Sequence, residues 1–219
     1  MQAMTETERP VRRNWGPTQF VRLPENRSAR HALRRLARTI ERHRPTFTPI
    51  LLIGPPGCGK SHLLDDFASW ASEFVAVRRL FAHEFPSELD PLITHADLVL
   101  IDDLPHLPLA RSDVFCSWWD KRLSHGRATV VTSTRSPADL PQFPPRLTSR
   151  LVGSLLITMP SLTSDSRRIV LQRRLPGLSA EALDWLAHHT PGSMRQLLGI
   201  IAQLASLPTT DLTPTRLAN

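Results

Sequence analysis

Past residue 26 the apolar side chains recur at helical spacing: Leu33, Leu36, Ala37 and Ile40 stand at i, i+3, i+4 and i+7. That stripe predicts a helix over about 27–43, with Asn26 or Ser28 placed to cap it. Pro45 and Pro49 end it and lead into Ile50-Leu51-Leu52-Ile53, a short continuous apolar run of the kind that reads as a buried parallel strand. A glycine-rich turn follows. Leu64, Phe67, Ala68 and Ala71 then mark a helix from Lys60 to about Phe74. Further strands are predicted at 75–81, 98–101, 128–132 and near 155–158. Between them lies a helix capped by Ser112, with Val114, Phe115, Trp118, Trp119 and Leu123 on its inner side, and a proline-rich loop at 141–145. The two tryptophans read as core. Strands alternating with helices imply an α/β fold built on a parallel sheet flanked by helices.

After Pro160 the strand signal stops. Segments 164–175, 179–189 and 193–207 each read as helices, with a short piece from 213. The expected organisation is a flexible basic tail over 1–24, an α/β domain over 25–160 and a small all-α domain over 161–219. No internal repeat is visible.

Composition narrows the class. No run of 18 apolar residues predicts a membrane span, and the first fifteen residues lack the apolar stretch of a secretory signal. Two cysteines are too few for a disulfide framework, so a cytoplasmic protein is expected. The net charge is +7, and residues 1–44 carry eleven arginines against four glutamates, an excess equal to the whole. The remainder is balanced. Clustered arginines pair with phosphates, so this end could meet DNA or an acidic partner; a solvated helix face is the plainer reading.

The chemistry is concentrated in Gly54-Pro55-Pro56-Gly57-Cys58-Gly59-Lys60-Ser61, a match to G-x-x-x-x-G-K-[ST] between a predicted strand and a predicted helix. Glycines let backbone N–H groups converge on phosphates, Lys60 would reach the β- and γ-phosphates, and Ser61 would ligate Mg²⁺. The start of the helix adds its positive dipole end. Cys58 reads as inert. Asp102 and Asp103 end the run 98–101, where the first acid can hold Mg²⁺ and the second can orient the attacking water. Ser133 and Thr134 close the fourth strand; they either face the γ-phosphate or merely end the strand. Arg146 and Arg150, four apart, share one face of a short helix, as a surface pair or as arginines offered to a neighbour's phosphates. Arg195 opens the last helix and could report nucleotide state. His188 and His189 lack partners at metal-ligand spacing.

Taken in order, these pieces resemble the AAA+ ATPases, and within them the DnaA family of bacterial replication initiators. The likeness runs from about Phe20 to about Leu207. Phe20-Val21 with Asn26-Arg27-Ser28-Ala29 resembles the segment lining the family's base pocket. Leu100-Ile101-Asp102-Asp103 resembles Walker B, and Val131 to Pro137 resembles sensor 1, with Thr134 where the family usually has Asp. Arg146-Leu147-Thr148-Ser149-Arg150 resembles the arginine-finger box, whose later arginine is the finger, and Met194-Arg195 resembles sensor 2. The resemblance implies a truncated relative without the helix-turn-helix domain, holding ATP or ADP with Mg²⁺ and turning over weakly. It further implies regulation of replication initiation by contact with DnaA or a DnaA-like ATPase, and a homo-oligomer through Arg150 as another partner. Gln19-Phe20-Val21-Arg22-Leu23-Pro24 is loosely similar to a sliding-clamp peptide. The alternatives are a helicase-loader or transposition-accessory ATPase that binds DNA directly, and a nucleotide-gated scaffold.

Overall fold

A computed structural model of the chain describes residues 21–46, 48–190 and 192–205. In chain order the helices and strands are α1 (Arg27–Glu41), β1 (Ile50–Ile53), α2 (Lys60–Ala71), β2 (Val77–Phe81), α3 (Pro91–His95), β3 (Leu98–Asp102), α4 (Ser112–Ser124), β4 (Ala128–Ser133), α5 (Pro145–Val152), β5 (Leu155–Thr158), α6 (Ser164–Arg174), α7 (Ala180–His189) and α8 (Met194–Ala205). Arg9, Arg12, Arg13, the first two residues of the clamp-like peptide, and residues 206–219 lie outside the described residues.

All five strands are parallel, in the order β2-β3-β4-β1-β5. β4 is therefore inserted between β1, which leads into the glycine-rich turn, and β3, which ends in Asp102. The strands alternate their faces. Ile50, Leu52, Leu98, Leu100, Ala128 and Val130 point to one side, under Leu33 and Leu36 of α1 and Leu63, Leu64 and Phe67 of α2. Leu51, Val99, Ile101 and Val131 point to the other, under α4 and α5 with Phe115, Trp118, Trp119, Leu147 and Leu151. Both tryptophans are core, stacked among Phe85 and Phe115. A separate apolar cluster joins α6, α7 and α8.

Several local features depart from the sequence reading. Ser112 does not cap α4; it is the first helical residue and buried, with Arg111 at the cap position. Asn26 sits at the cap of α1, but its side chain accepts from the Leu23 N–H (3.3 Å) and donates to the Val21 C=O (2.9 Å), folding the preceding segment. Val21 and Leu23, assigned to the tail on sequence, are buried against the lid helices. Glu25 fastens this segment to α6: its carboxylate accepts from the Thr163 N–H (2.9 Å) and hydroxyl (3.0 Å) and from the Ser166 hydroxyl (2.7 Å). Burial alone would raise the Glu25 pKa; these hydrogen bonds outweigh it and hold the group below its ordinary value.

Arg122 is the least expected core residue, only 1% exposed. It falls on the buried stripe of α4, at i+7 from Phe115. Its guanidinium donates to the carbonyls of Ile93, Thr94, Ala96 and Ala128 and to the Thr129 hydroxyl. Burial lowers its pKa to about 9, still well above neutrality, so it stays charged at pH 7. One side chain thus satisfies the turn between α3 and β3 and the start of β4. Arg122→Ala would orphan those carbonyls and open a cavity, a loss of about 3 kcal/mol or more, or roughly 6 °C or more in melting temperature. A thermal melt followed by circular dichroism checks this; a fall under about 2 °C would show the arginine to be dispensable.

Candidate functional site: a cleft between the glycine-rich loop and the lid

β1 ends at Ile53 and α2 begins at Lys60, so the chain turns within Gly54–Gly59. Gly57 (φ 76°) and Gly59 (φ 100°) are left-handed, a conformation that side chains oppose. Gly54 is required by space: a Cβ there would lie 2.1 Å from the Met159 carbonyl oxygen. Its N–H donates to the Ser133 C=O (3.1 Å), so the ends of β4 and β5 both meet the loop at this glycine.

The Lys60 side chain curls back into the loop. Its Nζ donates to the carbonyls of Gly54 (2.7 Å) and Pro55 (3.0 Å) and lies 3.7 Å from the Cys58 sulfur. Lys60 is 8% exposed, and among the described residues no carboxylate pairs with it. A buried ammonium held only by carbonyl dipoles, in a loop shaped by glycine, is charged and shaped for an anion. The arrangement fits a nucleotide's phosphates. Pro56 is exposed at the loop tip, and Ser61 is exposed in the first turn of α2.

The lid closes on this loop through backbone. The Met194 N–H at the start of α8 donates to the Gly57 C=O (2.8 Å), and a Cβ on Gly57 would stand 2.8 Å from the Ser193 Cβ. Beside the contact is a mostly apolar cavity of about 130 Å³, where Val21, Leu23, Leu162, Val170, Met194 and Leu198 are joined by the polar Asn26, His62, Glu25 and Arg174 and which reaches Cys58 and Gly59. Its position suits a flat base whose phosphates enter the loop. Of the lining, the segment around Val21 and Asn26, the loop residues Cys58 and Gly59 and the segment at Met194 were named on sequence, whereas Leu162 and Val170 were not. The lid residues are spread over 37 positions of sequence, and only folding brings them together. Arg195 is exposed one residue past the contact.

Asp102 ends β3 at 2% exposure. The Thr132 hydroxyl donates to one of its oxygens, and Arg79 Nη2 on β2 lies 3.3 Å from the other. Thr132 was not anticipated; it is fully buried and also accepts from the Asp103 N–H (2.9 Å), locking both acids to the inserted strand. Register was the missing information, since nothing in the sequence says that β4 lies against β3. Asp103 is left-handed (φ 62°) without being glycine, a conformation that aspartate tolerates better than most residues. Its carboxylate meets His106 Nδ1 at 2.9 Å. Among the described residues no three His, Cys, Asp or Glu side chains cluster as a metal site. A Mg²⁺ ion held by Ser61 and Asp102 would therefore rely on nucleotide phosphates for its remaining ligands.

Ser133 is fully buried, and its hydroxyl is committed to the next turn, donating to the Arg135 C=O (2.6 Å) and accepting from the Arg135 N–H (3.2 Å). It positions the loop through its own carbonyl on Gly54. Thr134, half-buried, follows it. Arg150 is not brought to the loop. It forms a two-pronged pair with Asp120 on α4 (2.8 and 2.6 Å), which raises its pKa further, while Arg146, more exposed, lies 3.6 Å from Asp113. Arg150 is near the end of α5 that enters β5 at Leu155, whereas the loop leaves the opposite end of the strands.

Lys60→Ala removes the buried ammonium of the glycine-rich loop and should weaken ATP binding by on the order of a hundredfold or more. A fluorescent-nucleotide titration measures it; an unchanged affinity would refute the assignment of the loop.

No family model matches the chain. Curated relatives do: the chromosomal replication initiator protein DnaA of Sphingopyxis alaskensis is 29% identical over 208 residues, 84% of this chain and 45% of that protein, and DnaA of Caulobacter sp. strain K31 is 29% identical over 214 residues, 85% of this chain and 43% of that protein. The chain thus spans less than half the length of these relatives. Among solved structures, domain III of DnaA from Thermotoga maritima superposes with a TM-score of 0.73 at 22% identity, covering 90% of each chain. AMPPCP-bound DnaA from Aquifex aeolicus gives 0.76 at 21% identity, covering 92% of this chain and 67% of that one. A sheet with β4 inserted between β1 and β3, a glycine-rich loop with a buried lysine and a helical lid give this chain the fold of the DnaA AAA+ domain, and its sequence is similar to DnaA over most of its length.

Proposed function

We propose that this protein is an ATP-binding AAA+ module that regulates replication initiation through nucleotide-dependent contact with DnaA. One observation supports the reading: Arg150 pairs with Asp120 near the end of α5 that enters β5 and is not brought to the protein's own phosphate loop, as an arginine serving a neighbouring subunit would require. In this reading residues 25–160 hold the phosphates and residues 161–219 form the lid, within a cytoplasmic protein. Gly54 to Ser61 bind the nucleotide, Ser61 and Asp102 hold Mg²⁺, Asp103 orients water, and Thr134 and Arg195 face the γ-phosphate from the sheet and the lid. The ion supplies charge neutralisation at the phosphates. Slow intrinsic turnover is in keeping with Asp102 engaged by Arg79 and Thr132, and with Asp103 engaged by His106. A relative of known structure, DnaA, has been solved bound to AMPPCP and single-stranded DNA. The second reading, a loader-type ATPase that contacts DNA itself, is favoured by the exposed arginines of α1.

Arg150→Ala should bind ATP like the parent yet fail to accelerate hydrolysis by ATP-loaded DnaA, a loss on the order of 10³ if Arg150 acts as a finger. Mixing Arg150→Ala with Lys60→Ala of the same chain tests the homo-oligomer, since each variant supplies what the other lacks. Recovered turnover there, with no effect on DnaA, would replace the regulatory reading by a self-assembling ATPase. Parent-like behaviour of Arg150→Ala in every assay would remove the finger and with it the proposed mechanism.

Asp103→Asn keeps a residue suited to the left-handed conformation. It should leave ATP affinity within about twofold while lowering single-turnover hydrolysis roughly tenfold or more. Equal losses in both would mean that Asp103 holds the nucleotide rather than the water.

A further inference from the structure

α1 carries a buried arginine that the nucleotide site does not use. Arg30 occupies the apolar stripe of the helix, three residues before Leu33 and seven before Ala37, and is only 6% exposed. The contrast with Arg122 is instructive. Arg122, equally out of place on a buried stripe, is saturated by five acceptors. Arg30 makes no hydrogen bond or ion pair with any described residue, and its Nε is buried without a partner. A buried polar group is normally satisfied, and a buried cation more so, because the unpaired state costs several kcal/mol in real proteins. Burial depresses the Arg30 pKa, and the charges of Arg34 and Arg22 depress it further.

Arg30 lines a groove of about 790 Å³ between α1 and β5. Arg27, His31, Arg34 and Arg35 line it too, while Leu36, Ile50, Leu155 and Ile157 give it an apolar floor. Arg27, Arg30 and Arg34 follow one another at about one helical turn, roughly 5.4 Å of rise. Among the described residues no carboxylate lines the groove beside this row. The groove shares no residue with the base cavity or the phosphate loop; it opens where β1 and β5 begin. Guanidinium donors in a row, one of them desolvated and unpaired over an apolar floor, recognise oxyanions, and bidentate pairing to phosphate is what guanidinium geometry favours.

We propose that the groove between α1 and the β5 edge is a phosphate-binding site separate from the nucleotide cleft, anchored by Arg30 and flanked by Arg27 and Arg34. The phosphate is that of a free small anion or of a nucleic-acid backbone. This inference does not rest on the proposed regulation of DnaA, nor on ATP binding.

The test compares the full chain with Arg30→Met and with the exposed-face double variant Arg27→Gln/Arg34→Gln. The phosphate loop is intact in all three, so its own anion affinity cancels. Melting temperatures are recorded without ligand, with pyrophosphate, and with a single-stranded oligothymidylate. Without ligand, Arg30→Met should melt at or above the parent, because an unpaired buried cation is removed and its stem volume kept. With ligand at roughly a hundred times its dissociation constant, the parent should gain about 5 °C or more beyond the gain of Arg30→Met, and the double variant should fall between them. A gain with pyrophosphate but not with oligothymidylate identifies the source as a free anion. A gain with oligothymidylate, whose log K against log salt loses about 0.7 in slope in Arg30→Met, identifies a single-stranded backbone. Equal ligand shifts in parent and Arg30→Met would overturn the proposal. So would a ligand-free melting temperature several degrees lower in Arg30→Met, the result expected of a structural arginine.

Discussion

Three segments of chain converge on the phosphate loop, and they do so because Gly54 and Gly57 have no side chains. At Gly54 the loop donates its N–H to the carbonyl at the end of β4 and lies against the Met159 carbonyl at the exit of β5, at a distance that leaves no room for a methyl group. At Gly57 the loop offers its carbonyl to the first amide of α8, with Ser193 filling the space that a Cβ would need. These are backbone contacts, so they tolerate wide variation in side chains elsewhere. They also make the loop a mechanical junction. A ligand that shifts the loop displaces the strand that positions the acids and the lid that covers the base, since rigid packing transmits small movements.

Buried charge is used in two opposite ways. Arg122 is fully satisfied and fixes the turns on the side of the sheet covered by α4. Lys60 and Arg30 are buried but not neutralised: the first has only carbonyls and a sulfur near its ammonium, the second has no partner among the described residues. A protein stabilised by only about 5–15 kcal/mol carries such groups at a measurable cost. In Lys60 the shape of the surrounding loop says what relieves it. In Arg30 the row of arginines along the groove gives the same kind of answer.

Much of the fold was legible in the sequence, because continuous apolar runs mark parallel strands and 3.6-residue stripes mark helices. β1 and β5 begin and end where the pattern places them. The helices α1 and α2 stop short of the predicted ends. His43 turns left-handed (φ 50°) after α1, and the amides following Ala71 continue as single turns rather than helix. α3 was passed over although Asp90-Pro91 carries its cap and first residue; five residues are too few for periodicity to show. In the cleft, residues that follow one another in sequence were legible: the loop and the acids at the end of β3. Thr132, Arg79 and the lid residues Leu162 and Val170 were not, since each owes its place to strand register or to the return of the lid. The arginines on apolar stripes, 30 and 122, were visible as breaks in pattern, but only burial and partners distinguish a structural arginine from an unpaired one.

The central claim is that nucleotide binds in one cleft made jointly by the phosphate loop and the lid. Hydrogen–deuterium exchange of the whole protein, with and without saturating ATP and Mg²⁺, tests it directly. The account predicts slower exchange both in the loop at 54–61 and around Met194 at the start of α8, together with protection at Val21 and Leu23 beside the base cavity. Protection confined to the loop, with exchange around Met194 and Leu23 unchanged, would contradict the joint cleft.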